Sequence, residues 1–277
     1  MINGINSREM ILEILLEIEE GEHSHVAIRN ALSKYQFLPK QDRAFITRVC
    51  EGTLEYRIQI DYIINSFSKV TVDKMKPAIR EILRSAVYQL KYMDSVPDSA
   101  VCNEAVKLAQ RKGFYNLKPF VNGVLRTIAR EMDQVRFPQK EDDLLKYLSV
   151  KYSMPEVLVT RWLEAYGEET TEKILADFLT EHPLTIRCRT YLNSKEEIIK
   201  SLESQGVHVA PAPYLSYAYS ISEFNHILAL DAFIKGKIVV QDVSSMLVAE
   251  VADPKKGDYV IDVCAAPGGK SLHMGDK

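Results

Sequence analysis

From Ile11 to Ile128 the apolar residues return every three or four positions, and no stretch alternates apolar with polar in the manner of a strand. That periodicity restricts residues 1–132 to an all-α bundle, in which each helix buries its apolar stripe against its neighbours. Ser7 is placed to cap a helix carrying Ile11, Ile14, Leu15 and Ile18, which Gly21 ends. A second helix is expected around Val26–Leu32, before Pro39. Gln41 to about Phe67 reads as one helical stretch, with Gly52 as an interruption or a close-packing point. Pro77 opens the most regular pattern, Ile79, Ile82, Leu83, Ala86, Val87 and Leu90. Two more helices follow, one starting at Pro97 and Asp98, the other running through Phe120 to Ile128.

The pattern then changes. Residues 133–145 (DQVRFPQKEDDLL) are polar enough for a linker, and two further helices are expected at about 143–150 and 155–179. PLTIRCRTY alternates, putting Leu184, Ile186 and Cys188 on one strand face and Thr185, Arg187 and Arg189 on the other. Ser194 and Glu197 form a capping-box signature for a helix that Gly206 closes. VHVAPAP and YLSYAYSIS read as further strands, so residues 146–235 are expected to form a small α/β domain. KGKIVVQDVSSMLVAEVADP predicts a short strand, a polar turn and a helix. The final residues predict a buried strand over Tyr259–Val263 and a glycine-rich loop entering a helix. Residues 236–277 therefore read as the first part of a third, α/β domain.

Bulk properties exclude several classes. No run nears the roughly 18 apolar residues of a membrane helix, and Ile11–Ile18 is broken by Glu13 and Glu17, unlike a signal peptide. The four cysteines form no CxxC pair and the six histidines show no ligand spacing, so neither disulfides nor a metal site is expected. These features predict a cytoplasmic, membrane-free monomer. The net charge of −3 supplies no global attraction to nucleic acid, which leaves only local basic patches for that role.

The chemistry concentrates in Asp262–Lys270, DVCAAPGGK. A P-loop fails because Cys264 stands where its first glycine belongs, and the adjacent Gly268 and Gly269 do not match G-x-G-x-x-G. Small Ala265 and Ala266, rigid Pro267 and the paired glycines let backbone N–H groups approach a ligand. A carboxylate suits these groups and the following helix start better than a pyrophosphate does. Asp262 is expected to orient the loop by accepting backbone N–H bonds.

Read whole, DVCAAPGGKS resembles motif I of the RNA cytosine-C5 methyltransferases, and QDVSSMLVAE resembles that family's segment beneath the cofactor site. DRAFITRVCEGTLEYRIQIDYII and PDSAVCNEAVKLAQRKG, with KPFVNGVLR, are similar to NusB-type segments. Together they resemble the bacterial 16S rRNA branch of RsmB/Sun (Fmu) type. That branch carries an N-terminal NusB-like domain, a small α+β domain and a Rossmann-like methyltransferase domain. The resemblance implies S-adenosyl-L-methionine as cofactor, held by Cys264, Ala265, Ala266, Pro267, Gly268, Gly269 and Lys270. It implies 16S ribosomal RNA as partner, methylated at a cytosine C5 of the family's cytosine-967 type. The same resemblance places the family's nucleophilic cysteine, its Pro-Cys motif and its ribose-binding acid beyond Lys277. The chain is thus expected to be truncated after motif I and inactive alone, Cys264 being a packing residue. The alternative is an RNA-binding, antitermination-type module without catalysis. Gln241, Asp242 and Ser244 are expected near the site or at a helix cap.

For RNA, the helical domain offers Lys107, Arg111, Lys112, Lys118, Arg126 and Arg130. The small domain offers Arg187 and Arg189 beside Tyr214, Tyr217 and Tyr219. One departure stands out: the family's Arg-x-Asn is Arg187-Cys188-Arg189 here.

Overall fold

The computed structural model describes residues 6–35, 38–180, 182–224 and 226–277. It divides at Thr180 into two compact units.

The first unit is helical. It comprises α1 (Ser7–Glu19), α2 (Ser24–Lys34), α3 (Lys40–Glu55), α4 (Arg57–Phe67), α5 (Pro77–Tyr92), α6 (Asp98–Arg111) and α7 (Lys118–Glu131), followed by α8 (Leu144–Lys151) and α9 (Glu156–Phe178). The cap of α1 is Asn6, not Ser7: its Oδ1 accepts from the Arg8 and Glu9 N–H groups at 2.9 and 3.4 Å. The stretch from Gln41 to Phe67 breaks at Tyr56, and Gly52 lies intact within α3. There an added Cβ would stand 2.1 Å from the Tyr88 ring. Gly52 is therefore a close-packing point and not an interruption.

Helix α5 lies at the centre, burying Ile79, Ile82, Leu83, Ala86 and Val87 among residues of α1, α3, α4, α6 and α7. Each of the larger side chains, Ile79, Ile82, Leu83 and Val87, contributes about 1.5–3 kcal/mol by leaving water. Several polar groups on α5 are paired, although the buried Arg80 Nε has no hydrogen-bond partner. Arg84 bridges Asp61 and the buried Glu81, at 2.6 Å to each, and Gln89 accepts from Arg8 Nε at 3.1 Å.

Residues 133–145 are fastened to this bundle. Tyr62 donates to the Arg136 carbonyl at 2.7 Å and stacks on Phe137. Helix α8 is fastened too, because the buried Gln59 Nε2 donates to the Val150 and Lys151 carbonyls, both at 3.1 Å. These bonds fasten α8 to the bundle, and α9 packs on α8, so the compact helical unit takes in both, although the sequence pattern groups them with the small domain.

Gly167 adopts φ 73 and ψ 174, and α9 reverses there. Trp162 and Phe178, about 24 Å apart on a straight helix, stack 5.7 Å apart. Val159, Leu175 and Leu148 close a small core of their own. Glu172 accepts from Lys151 at 3.0 Å, Lys140 at 3.1 Å and Tyr152 at 3.1 Å. Led by the Lys151 hydrogen bond, these donors hold the Glu172 carboxyl at about 2.

The second unit is built on a four-stranded antiparallel sheet of β1 (Leu184–Cys188), β2 (His208–Pro211), β3 (Ala218–Ser222) and β4 (Ile238–Val240), in the order β2-β3-β1-β4. With α10 (Lys195–Glu203) between β1 and β2, and α11 (Asp231–Ile234) between β3 and β4, this is a split β-α-β arrangement. Ser194 caps α10 through its bond to the Glu197 N–H at 3.3 Å, but the Glu197 carboxylate accepts from Asn193. Register sets the two faces. Ile186 lies opposite Tyr219 and Val240, Cys188 opposite Ile238, and Leu184 opposite Ile221. Ile186, Cys188, Tyr219, Ile221 and Ile238 form a core with Ile198 and Leu202 of α10. Arg187, opposite Ala218 and Val239, points to the other face.

The sequence reading gave β4 to the terminal domain; its ladder with β1 takes it into this sheet. Helices α12 (Val243–Ala252) and α13 (Gly269–Asp276) pack on each other. The strand expected over Tyr259–Val263 does not form: those residues have no regular structure and run into a turn at Val263, with Tyr259 93% and Val263 90% exposed. A strand needs a neighbour for its N–H and C=O groups, and none lies beside it here. Among the described residues no helix is long and apolar enough to cross a membrane, and no group of three or more His, Cys, Asp or Glu side chains could hold a metal.

Candidate functional site

The glycine-rich loop is held by Asp262. One carboxylate oxygen accepts from the Cys264 N–H at 3.0 Å and the other from the Ser271 hydroxyl at 2.6 Å. The Ser271 bond, then the Cys264 N–H, keep the Asp262 carboxyl below its usual range. Asp262 therefore orients the loop as the sequence predicts. Its link to Ser271, nine residues on, had no local signal.

Between these anchors, Cys264, Ala265, Ala266 and Pro267 are exposed, and Gly268, Gly269 and Lys270 are half-buried. Gly268 has φ +104, a conformation that L side chains rarely adopt, and it precedes α13 without any side-chain cap. A Cβ at Gly269 would meet no atom within 4 Å. The first N–H groups of α13 thus have no side-chain cap as acceptor, an arrangement that suits a small anionic group. An open cleft of about 870 Å³ runs along this segment, and Tyr259, Asp262, Ala265 and Ser271 are among its walls.

The entry segment supports the sheet. The Gln241 N–H donates to the Thr185 carbonyl at 3.1 Å, and its Oε1 accepts from Arg187 Nε at 2.9 Å. Asp242 occupies the N-cap position of α12 without a side-chain cap bond, and Ser244 is exposed.

The basic residues chosen for RNA separate into three groups. Arg187 is 3% exposed and ion-paired with Asp276 at 2.7 Å, which removes it from any surface that RNA can reach. Arg189 also binds Asp276, at 2.8 Å, and lies over the Tyr191 ring at 5.0 Å. Of the tyrosines beside them, Tyr214 alone projects, 85% exposed at φ 70. Tyr219 is buried, and Tyr217 donates its hydroxyl to Glu250. On the helical unit Lys107, Lys112 and Arg130 are paired with glutamates, Lys112 with Glu9 at 3.2 Å and Glu13 at 3.0 Å. Arg126 is exposed and bonds the neutral Asn122 and Asn103, and among the described residues it forms no ion pair. Sequence reasoning missed Asp276, the carboxylate on which both small-domain arginines converge; it lies 87 residues from Arg189.

Residues 5–130 match the NusB family, and residues 154–227 match the Methyltr_RsmF/B-like, ferredoxin-like domain. The chain is 34% identical over 269 residues to the probable ribosomal RNA small subunit methyltransferase B of Bacillus subtilis strain 168, covering 97% of this chain and 59% of that protein. It is 30% identical to the probable ribosomal RNA small subunit methyltransferase B of Synechocystis sp., covering 98% of this chain and 61% of the relative. The crystal structure of PH0851 matches 99% of this chain and 61% of its own, with a TM-score of 0.72 and 26% identity. The chain thus spans about three-fifths of the length of these curated relatives. Helices α1–α7 span the stretch matched to the NusB family, and β1, β2 and β3 lie within the ferredoxin-like match, which also takes in α9; the chain thus carries a NusB-like all-helical domain followed by a small sheet domain.

Proposed function

We propose that the chain supplies the RNA-binding and cofactor-loop parts of an S-adenosylmethionine-dependent methyltransferase acting on C5 of a cytosine in 16S ribosomal RNA. The observation that carries this reading is the Asp262-anchored loop opening onto the uncapped start of α13. The names of the relatives support it.

In this reading the N–H groups of Gly269, Lys270 and Ser271 bind the methionine carboxylate. Cys264, Ala265, Ala266 and Pro267 line the approach with little bulk, and Lys270 adds a positive charge. The cofactor, when bound, supplies an electrophilic sulfonium methyl group. None of the four cysteines here is the nucleophile. Burial raises the Cys50 and Cys102 thiols and takes Cys188 to about 11, far from the thiolate form. Cys264 serves the loop through its backbone, by its bond to Asp262. RNA is held on the helical unit by Arg126, with Arg111 at the end of α6 and Lys118 at the start of α7 adding charge, and Lys112 paired more closely to its glutamates. The whole protein is a cytoplasmic monomer.

Bisulfite sequencing of 16S rRNA from the source organism with this gene disrupted tests the reading. One C5-methylcytosine should disappear; an unchanged set of methylcytosines would refute it. A second reading, RNA binding without methyl transfer by these 277 residues alone, is favoured by the exposed and unpaired Tyr259–Val263. A sheet-forming segment without its sheet leaves the cofactor pocket open on one side.

A further inference from the structure

Arg187 and Arg189 stand two residues apart on β1 and the turn after it, and both reach one carboxylate. Asp276 accepts from Arg187 Nη2 at 2.7 Å, from Arg189 Nε at 3.0 Å and from Arg189 Nη2 at 2.8 Å. The remaining Arg189 nitrogen, Nη1, donates to the Gly236 carbonyl at 3.2 Å, and Arg187 Nε is taken by Gln241. These engaged donors leave little for a phosphate. Asp276 is the last residue of α13, and the first residue of α13 is Gly269 of the cofactor loop.

We infer that Arg187 and Arg189 are positioning residues that act through Asp276 to fix the helix whose other end forms the cofactor loop. The inference rests on the cofactor reading of that loop.

The lever is short. Eight residues of helix span about 12 Å, so a shift at Asp276 is carried to Gly269 with little loss. The near end of α13 is tied by Ser271 to Asp262, and the far end is tied to the sheet by the two arginines. A second tie runs parallel to the first. Tyr217, just before β3, donates to Glu250 of α12, and Glu250 also pairs with Lys277 at 2.7 Å. The His273 ring meets Tyr217 edge-on at 5.6 Å and lies buried between the two ties. Removing Arg187 leaves Asp276, with its side chain 11% exposed, short of one of its two cations. A half-paired buried carboxylate favours any movement that lets water reach it. The clamp also accounts for an arginine at 189, where the resembling family has asparagine: the bidentate partner of Asp276 needs a guanidinium.

The test is hydrogen exchange read by mass spectrometry on the full 277-residue chain and on Arg187→Gln, Asp276→Asn and the milder, partly exposed Arg189→Gln. Exchange in residues 264–276 should accelerate about tenfold in the first two and less in the third, while residues 184–188 and 218–222 keep wild-type protection. Arg187→Lys, which restores the charge but not the fork, should fall between wild type and Arg187→Gln. Unchanged exchange in 264–276, or an equal rise across the sheet, would overturn the clamp. In parallel, amide NMR shifts caused by S-adenosylmethionine at Cys264–Ser271 should shrink in the variants. If the wild-type chain shows no such shifts, the cofactor reading fails while the exchange data still decide the clamp.

Discussion

Single residues carry more of this structure than composition suggests, and Gly52 is the sharpest case. Tyr88 is buried and packs against Tyr56 and Tyr92, so it cannot swing away from an added methyl group. Gly52→Ala should destabilise the helical unit by about 1–3 kcal/mol through overpacking, seen as a lower midpoint in urea. Pairing it with Tyr88→Leu should recover part of the loss, and an unaltered midpoint for the single variant would refute the contact. Sequence pattern flagged Gly52 as special but could not tell packing from interruption, since its partner lies 36 positions away. The arginines show the same limit. Arg187 and Arg126 read alike as RNA contacts, yet one is buried against Asp276 and the other is exposed beside asparagines. Arg126→Ala should weaken binding of a 16S rRNA fragment several-fold and lower the salt slope by about 1, measured by fluorescence anisotropy over a salt series. Lys112→Ala, already neutralised by Glu9 and Glu13, should do less; equal effects would count against this ranking.

At the scale of elements, local signals placed the helices and strands well, and partners decided the rest. Helix periodicity and proline starts located α5 and α6, because those signals act within one turn. The reversal of α9 was not legible, since glycine inside a helical pattern is ordinarily tolerated. Gly167→Ala should strain a backbone held at φ 73 and ψ 174 by about 1–3 kcal/mol. Trp162 is the sole tryptophan, so its emission should report the opened stack on Phe178; an unchanged spectrum and melting point would contradict the reversal. The strand expected over Tyr259–Val263 failed for the opposite reason: its pattern is right, but among the described residues no strand lies beside it.

Acid should loosen α13 in two separate windows. Burial first, then the charge of Arg187, lowers the His273 imidazole to about 4. Its contribution is therefore full above the ordinary 6.5 and is lost as pH falls toward 4. For Asp276, burial would raise the carboxyl, but the hydrogen bonds from Arg189, Arg187 and Tyr191 outweigh it and hold it at about 2. Its contribution is lost only between about 3.8 and 2. Calorimetric melts of His273→Gln should lose the upper window alone, and a retained slope between pH 6.5 and 4 would contradict that assignment.

For the molecule as a whole, the sequence pattern suggests three domains where the structure has two compact units; what was legible is the change of hydrophobic period at Pro183, where the helices give way to the sheet. The boundary was not, because it depends on which side the linker and β4 find hydrogen-bond partners. The Asp262-anchored loop was readable because nine contiguous residues carry its backbone geometry. The clamp behind it was not, because it joins residues far apart in the chain. The central claim is that Cys264–Lys270 receives the methionine end of S-adenosylmethionine. A titration of the ¹⁵N-labelled chain with S-adenosylmethionine, followed by amide NMR, tests this directly. Weak, saturable shifts at residues 264–272, absent with ATP and lost in Gly269→Val, are the predicted result. Shifts elsewhere, or none at millimolar cofactor, would contradict it.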